Sequence, residues 1–105
     1  MNKFGLSQDT FEKIINLLKT FSEIEEVKIF GSRAKGNFKP FSDIDIAIFG
    51  QISEKKLRHI STELDELSTP YKFDVVNYNN IDNENLKQSI DKYGVKILNL
   101  DSPHP

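Results

Sequence analysis

The sequence predicts an α+β domain, a small mixed β-sheet with helices packed on it. Three observations carry this. Apolar residues at helical spacing alternate along the chain with short β-branched runs. The 105 residues suit one compact domain. A hydrophobic fraction of 37% against 29% charged residues supplies one modest core and argues against disorder.

The elements follow in order. Positions 7–21 read as a helix, with Phe11, Ile14, Ile15, Leu18 and Phe21 on one face and Ser7 or Asp9 as the cap. Glu23, Glu25 and Glu26 read as a solvated loop, followed by a short strand from Val27 to Phe30 that stops at Gly31. Asn37 to Phe41 contains Pro40 and lies beside Gly36, which suits a loop. Asp43 to Phe49 alternates and is β-branched, a second strand able to pair with the first. Ser53 to Leu67 is a helix with Leu57, Ile60, Leu64 and Leu67 on one face, Ser53 as cap and a stop at Ser68-Thr69-Pro70. Phe73 to Asn77 is a third strand. A last helix starts at Asp82 or Asn83, turns Leu86, Ile90 and Tyr93 inward and ends at Gly94 as a C′ glycine. Val95 to Leu98 closes the sheet. One domain over residues 1–100 and a loose tail over 101–105 are expected.

Composition narrows the function. A net charge of −2 argues against a dedicated nucleic-acid binder, so no direct nucleic-acid contact is expected. The absence of cysteine excludes disulfides and cysteine metal sites. MNKFGLSQDTFEK has no apolar signal core, and no run approaches the ~20 residues of a membrane span. A soluble, cytoplasmic chain without membrane contact is expected.

The stretch that carries chemistry is FGSRAKGNFKPFSDIDIAIF, from Phe30 to Phe49. Strand side chains alternate between faces, so Ile44, Ile46 and Ile48 share one side and Asp43, Asp45 and Ala47 the other. Two carboxylates sharing a site repel, and one pKa should rise. A divalent cation reverses that penalty, and Mg²⁺ favours one or two carboxylates with waters and phosphate oxygens. Asp74, between Phe73 and Val75, can point to the same kind of face. It could hold a second metal or act as general base on an attacking hydroxyl. Each aspartate alone also reads as a solvated or turn-capping residue.

Upstream, Gly31-Ser32 follows a strand and opens a short helical turn. Glycine lets a phosphate approach the backbone, Ser32 adds a donor, and Arg33, Lys35 and Lys39 bring positive charge. An ordinary strand-to-loop turn would look the same. A P-loop is excluded, because after Gly31-x₄-Gly36 the required Lys and Ser/Thr are replaced by Asn37 and Phe38.

Gly31-Ser32, ten residues, then Asp43-x-Asp45 on a strand resembles the signature of the DNA polymerase β-like nucleotidyltransferase superfamily. The GSRAKG form and the later Asp74 strand are similar to its minimal nucleotidyltransferases (MNT), over about Val27 to Leu98. The resemblance implies that fold, with Gly31, Ser32, Arg33 and Lys35 at the nucleotide phosphates. It implies Asp43, Asp45 and Asp74 as catalytic and Mg²⁺-binding carboxylates, and ATP as substrate. Many MNT proteins carry Arg where this chain has Lys35, which can neutralise a phosphate but not grip it as a fork. MNT domains commonly accompany a HEPN protein, so the resemblance implies an antitoxin that transfers AMP to a tyrosine of a HEPN toxin. Two further readings stand beside it. One is a non-catalytic module that neutralises its partner by occupancy. The other is a small-molecule nucleotidyltransferase, which usually needs a second domain for its acceptor. His59 and His104 read as surface residues, and Tyr71, Tyr78 and Tyr93 as packing or rim residues, Tyr78 near the cleft.

Overall fold

The computed structural model describes residues 2–99; the expected tail over 101–105 lies outside them. Helix α1 spans Gln8–Leu18, and the Ser7 hydroxyl caps it by accepting from the Thr10 amide at 3.1 Å. Asp9 sits in the first turn and pairs with Lys13 at 3.0 Å. The helix stops short of Phe21, which is nevertheless buried.

Strand β1 spans Ile24–Phe30 and so starts earlier than the Val27 expected. Glu25 and Glu26 belong to the strand, not to a loop. A register shift between Ile24 and Glu26 lets Ile24 and Val27 both turn inward. Glu26 is offset by Lys28 at 3.9 Å and by Lys96 at 3.8 Å.

Helix α2, a single turn over Ser32–Lys35, separates β1 from strand β2, Ile44–Gly50. The two strands pair antiparallel, with Ile29 opposite Ile46 and Val27 opposite Ile48. Helix α3, Glu54–Asp65, is capped by Ser53, whose hydroxyl accepts from the Lys56 amide at 3.0 Å. It is the crossover that a parallel strand pair requires, and strand β3, Phe73–Asn77, runs parallel to β2. A 3₁₀ turn over Tyr78–Asn80 leads to helix α4, Glu84–Tyr93, capped by Asn83 rather than Asp82. Gly94 ends α4 in an extended conformation, not the left-handed one expected of a C′ glycine; a Cβ there would lie 2.4 Å from the Ile90 carbonyl oxygen. Strand β4, Val95–Asn99, returns antiparallel to β1. The sheet order is β3-β2-β1-β4, a mixed sheet as the sequence predicted.

The two faces bury unequal cores. Val27, Ile29, Ile44, Ile46 and Ile48 pack against Ile14 and Leu18 of α1 and Ile60 and Leu64 of α3. The isoleucine face of β2 is thus the main core, as alternation requires. On the opposite face Phe30 and Ala47 meet Ile90 of α4, with Val76 and Leu86 beside them. Among the described residues no helix is long and apolar enough to cross a membrane.

Candidate active site

The second face is where Asp45 lies. In the antiparallel pair Phe30 is opposite Asp45, and in the parallel pair Asp45 is opposite Asp74. Register partners project to the same face, so the two carboxylates are neighbours across adjacent strands. Asp43 stands one residue before β2, exposed at its mouth. The strand predicted from Asp43 therefore begins at Ile44, yet Asp43 still bears electrostatically on Asp45.

Asp45 is the perturbed group. Its pKa is raised from the ordinary 3.8 to about 6. Partial burial against the sheet is the largest cause, followed by the charges of Asp74 and then Asp43, with Arg33 acting in the opposite sense. Among the described residues no side chain hydrogen-bonds to or forms an ion pair with Asp43, Asp45 or Asp74. A like-charge trio without a paired cation is the arrangement that a divalent ion relieves. The three do not form a ready cage, since no group of three acidic or imidazole side chains among the described residues could enclose an ion. Mg²⁺ does not need such a cage. One or two carboxylates suffice when phosphate oxygens and water complete the shell, and a donor set of aspartates alone suits a hard cation.

Gly31 is built against this trio. Its backbone lies at φ 72°, ψ −150°, and a Cβ there would sit 2.2 Å from Asp45 Oδ2. The positive φ strains any larger residue there, and a Cβ would push the Asp45 carboxylate aside. The turn that follows is closed by the Lys35 amide donating to the Gly31 carbonyl at 3.1 Å and the Gly36 amide to that of Ser32 at 2.9 Å. Ser32, next after Gly31, is half-buried, and Lys35 is exposed at the end of the turn.

Arg33 departs from the phosphate-contacting role expected of it. It is 1% exposed, the largest fully buried side chain. Nη1 donates to the Phe4 carbonyl at 2.8 Å, Nη2 to Ser42 at 2.9 Å and Pro40 at 3.3 Å, and Nε to Ser42 at 3.2 Å. The guanidinium also lies 4.9 Å from the Phe38 ring centroid and 4.8 Å from that of Tyr71. It fastens the 37–42 loop, which delivers Asp43, to the N-terminal segment, spends four of its five N–H donors on carbonyls and is buried away from any substrate phosphate. Sequence reasoning missed this because the anchoring partners are backbone carbonyls, one of them 29 residues away.

Tyr78 does not line the carboxylate site. It stacks on Phe49 with centroids 4.4 Å apart and donates its hydroxyl proton to Asp91 Oδ1 at 2.7 Å, which raises its pKa. Tyr93, expected to point inward, is instead 43% exposed. A cavity of about 550 Å³ beside the 37–42 loop is lined by Phe38, Pro40, Phe41 and Tyr71, and it contains none of the three aspartates.

Comparison with known proteins agrees with this fold. Residues 12–103 match the family model "Polymerase beta, Nucleotidyltransferase". No curated protein matches the sequence significantly. Among solved structures, a chain of a toxin–antitoxin complex with AMP-PNP is 24% identical with a TM-score of 0.70, covering 82% of this chain and 70% of its own. A chain of the MntA–HepT toxin–antitoxin complex is 22% identical, TM-score 0.65, over 86% and 70%. A chain of the complex of tri-AMPylated Shewanella oneidensis HEPN toxin with MNT antitoxin is 21% identical, TM-score 0.66, over 87% and 71%. At these identities the structural likeness shows a shared fold.

Proposed function

The chain belongs to the polymerase β nucleotidyltransferase family, and from that premise we propose that it transfers AMP from ATP to a hydroxyl group, a tyrosine of a HEPN-type toxin, and so acts as an antitoxin. The observation that carries the reading is the unpaired trio Asp43, Asp45 and Asp74 beside a positive-φ glycine whose missing side chain leaves room for the Asp45 carboxylate. The family, and the AMPylated HEPN toxin found with an MNT antitoxin of the same fold, support the direction of transfer and the kind of acceptor.

In this reading Gly31 and Ser32 receive the triphosphate, because a residue without Cβ lets the phosphates approach Asp45 without displacing its carboxylate. Asp43 and Asp45 are the residues that would hold Mg²⁺, and Asp74 completes the acidic set. Mg²⁺, when bound, would neutralise charge on the attacking and leaving oxygens. Asp74 would accept the proton of the acceptor hydroxyl as its oxygen bonds to the α-phosphorus and pyrophosphate departs. The protein's own share is position and electrostatics. The parallel register aligns Asp45 with Asp74, and Arg33 holds the loop that presents Asp43.

The test is incubation with labelled ATP, Mg²⁺ and the HEPN partner. Label on a partner tyrosine, lost with Asp43→Asn/Asp45→Asn, is expected. If the double variant still neutralises the partner as well as the unmodified chain does, neutralisation proceeds by occupancy and the transfer reading fails.

A further inference from the structure

Of the two cations in the glycine-flanked turn, only Lys35 is free to meet a ligand. Arg33 is consumed by carbonyls, whereas Lys35, at the end of the turn that starts at Gly31, reaches across to α4. Its Nζ lies 5.0 Å from the centroid of the Tyr93 ring, and Lys92 Nζ lies 5.2 Å from the same centroid. Tyr93 is one of two large apolar side chains exposed among the described residues.

Its place in the fold links it to the carboxylates. Ile90, one helical turn before Tyr93, is buried against Phe30 and Ala47 on the aspartate face. Phe30 is the register partner of Asp45, and Gly31, next in the chain, closes on Asp45. The end of α4 and the turn of α2 therefore border the same face. From Ser32 to Lys35 the chain advances on the order of one helical turn. A ligand with its phosphates at Gly31-Ser32 has Tyr93 within reach of its other end.

We infer that Tyr93 is the nucleobase platform of the site, its ring stacking on the base of the nucleoside triphosphate while Lys35 and Lys92 offset phosphate charge. An aromatic ring flanked by ammonium groups suits a ligand that is a flat π-system at one end and polyanionic at the other. The lysines would add to the positive charge that a triphosphate beside three carboxylates needs. This inference rests on the nucleotide-transfer reading but concerns binding of the nucleotide, not its transfer.

The test is equilibrium binding of ATP and of inorganic tripolyphosphate, each with Mg²⁺, to the whole chain and to Tyr93→Ala, Tyr93→Leu and Tyr93→Phe. Because Tyr93 is exposed, all three variants should fold, which thermal melting verifies. Loss of stacking should weaken ATP binding roughly 10- to 100-fold in Tyr93→Ala and Tyr93→Leu, leave it unchanged in Tyr93→Phe, and leave tripolyphosphate binding intact in all. Unaltered ATP binding in Tyr93→Ala overturns the inference. So does recovery in Tyr93→Leu, which would show an apolar packing role, or an equal loss for ATP and tripolyphosphate. A chain that binds ATP through Tyr93 yet labels no acceptor upholds the platform and sinks the transfer reading. A chain that transfers AMP with a KM for ATP indifferent to Tyr93 does the reverse.

Discussion

Asp45→Asn should make the protein more stable at neutral pH. The native pKa of Asp45 lies near 6 against an ordinary 3.8, which corresponds to about 3 kcal/mol between its protonation states at 1.36 kcal/mol per pH unit. Asp45 is only half-buried, and solvent screening reduces this to roughly 1 kcal/mol. The sign follows from linkage. A carboxylate whose folded pKa is raised binds its proton more tightly in the native state, so its contribution is favourable below about pH 4 and is lost as pH rises through 6. Above that value the native protein bears the cost of a charged Asp45 beside Asp74 and Asp43. Asparagine keeps the shape and removes the charge. Thermal unfolding from pH 4 to 8 should show Asp45→Asn melting about 4–8 °C higher at pH 7.5, with the gap closing toward pH 4. Excess Mg²⁺ should raise the midpoint of the unmodified chain at pH 7.5 and leave Asp45→Asn nearly unmoved. A variant less stable than the parent at pH 7.5, or a gap independent of pH, would refute the electrostatic account of the site.

Arg33→Met should cost about 2–4 kcal/mol in urea unfolding, because three carbonyls lose their donors. Arg33→Lys, which keeps the charge but not the fork, should fall between the two. Gly31→Ala should cost about 1–3 kcal/mol from backbone strain and abolish the proposed AMP transfer by displacing Asp45, read by melting and labelling together. Asn77→Ala should cost about 1–2 kcal/mol in thermal unfolding, since the buried amide donates to the Ile52 carbonyl at 2.9 Å and accepts from the Asn79 amide at 3.2 Å.

What could be read from the sequence was whatever local chemistry determines. Ser7, Ser53 and Asn83 cap their helices because a short polar side chain before an apolar repeat has a specific backbone donor to satisfy. The faces of β2 followed from alternation, and with them the separation of Asp45 from the isoleucine core. Long-range contacts were harder to see. Glu25 and Glu26 read as a loop because the compensating Lys96 comes from β4, a neighbour known only once the sheet order is known. Arg33 sits in a basic, glycine-flanked segment that locally reads as phosphate-binding. Its burial depends on Phe4, Phe38 and Tyr71 arriving from three separate parts of the chain. Tyr93 fits the inward stripe of α4 by spacing, but full burial on that stripe stops at Ile90, one turn earlier.

The parallel pairing of β2 with β3 has an effect on how the site can fail. Asp45 and Asp74 are 29 positions apart and meet solely because α3 returns the chain in the observed alignment. A slip of one position would turn Asp74 toward the leucines and isoleucines and bring a valine to Asp45's side. Chemistry here is therefore all-or-none with respect to strand alignment: a misaligned molecule could retain its helices and compactness yet lack a site. Turnover per molecule, compared with helical signal, would count the correctly threaded fraction in a preparation.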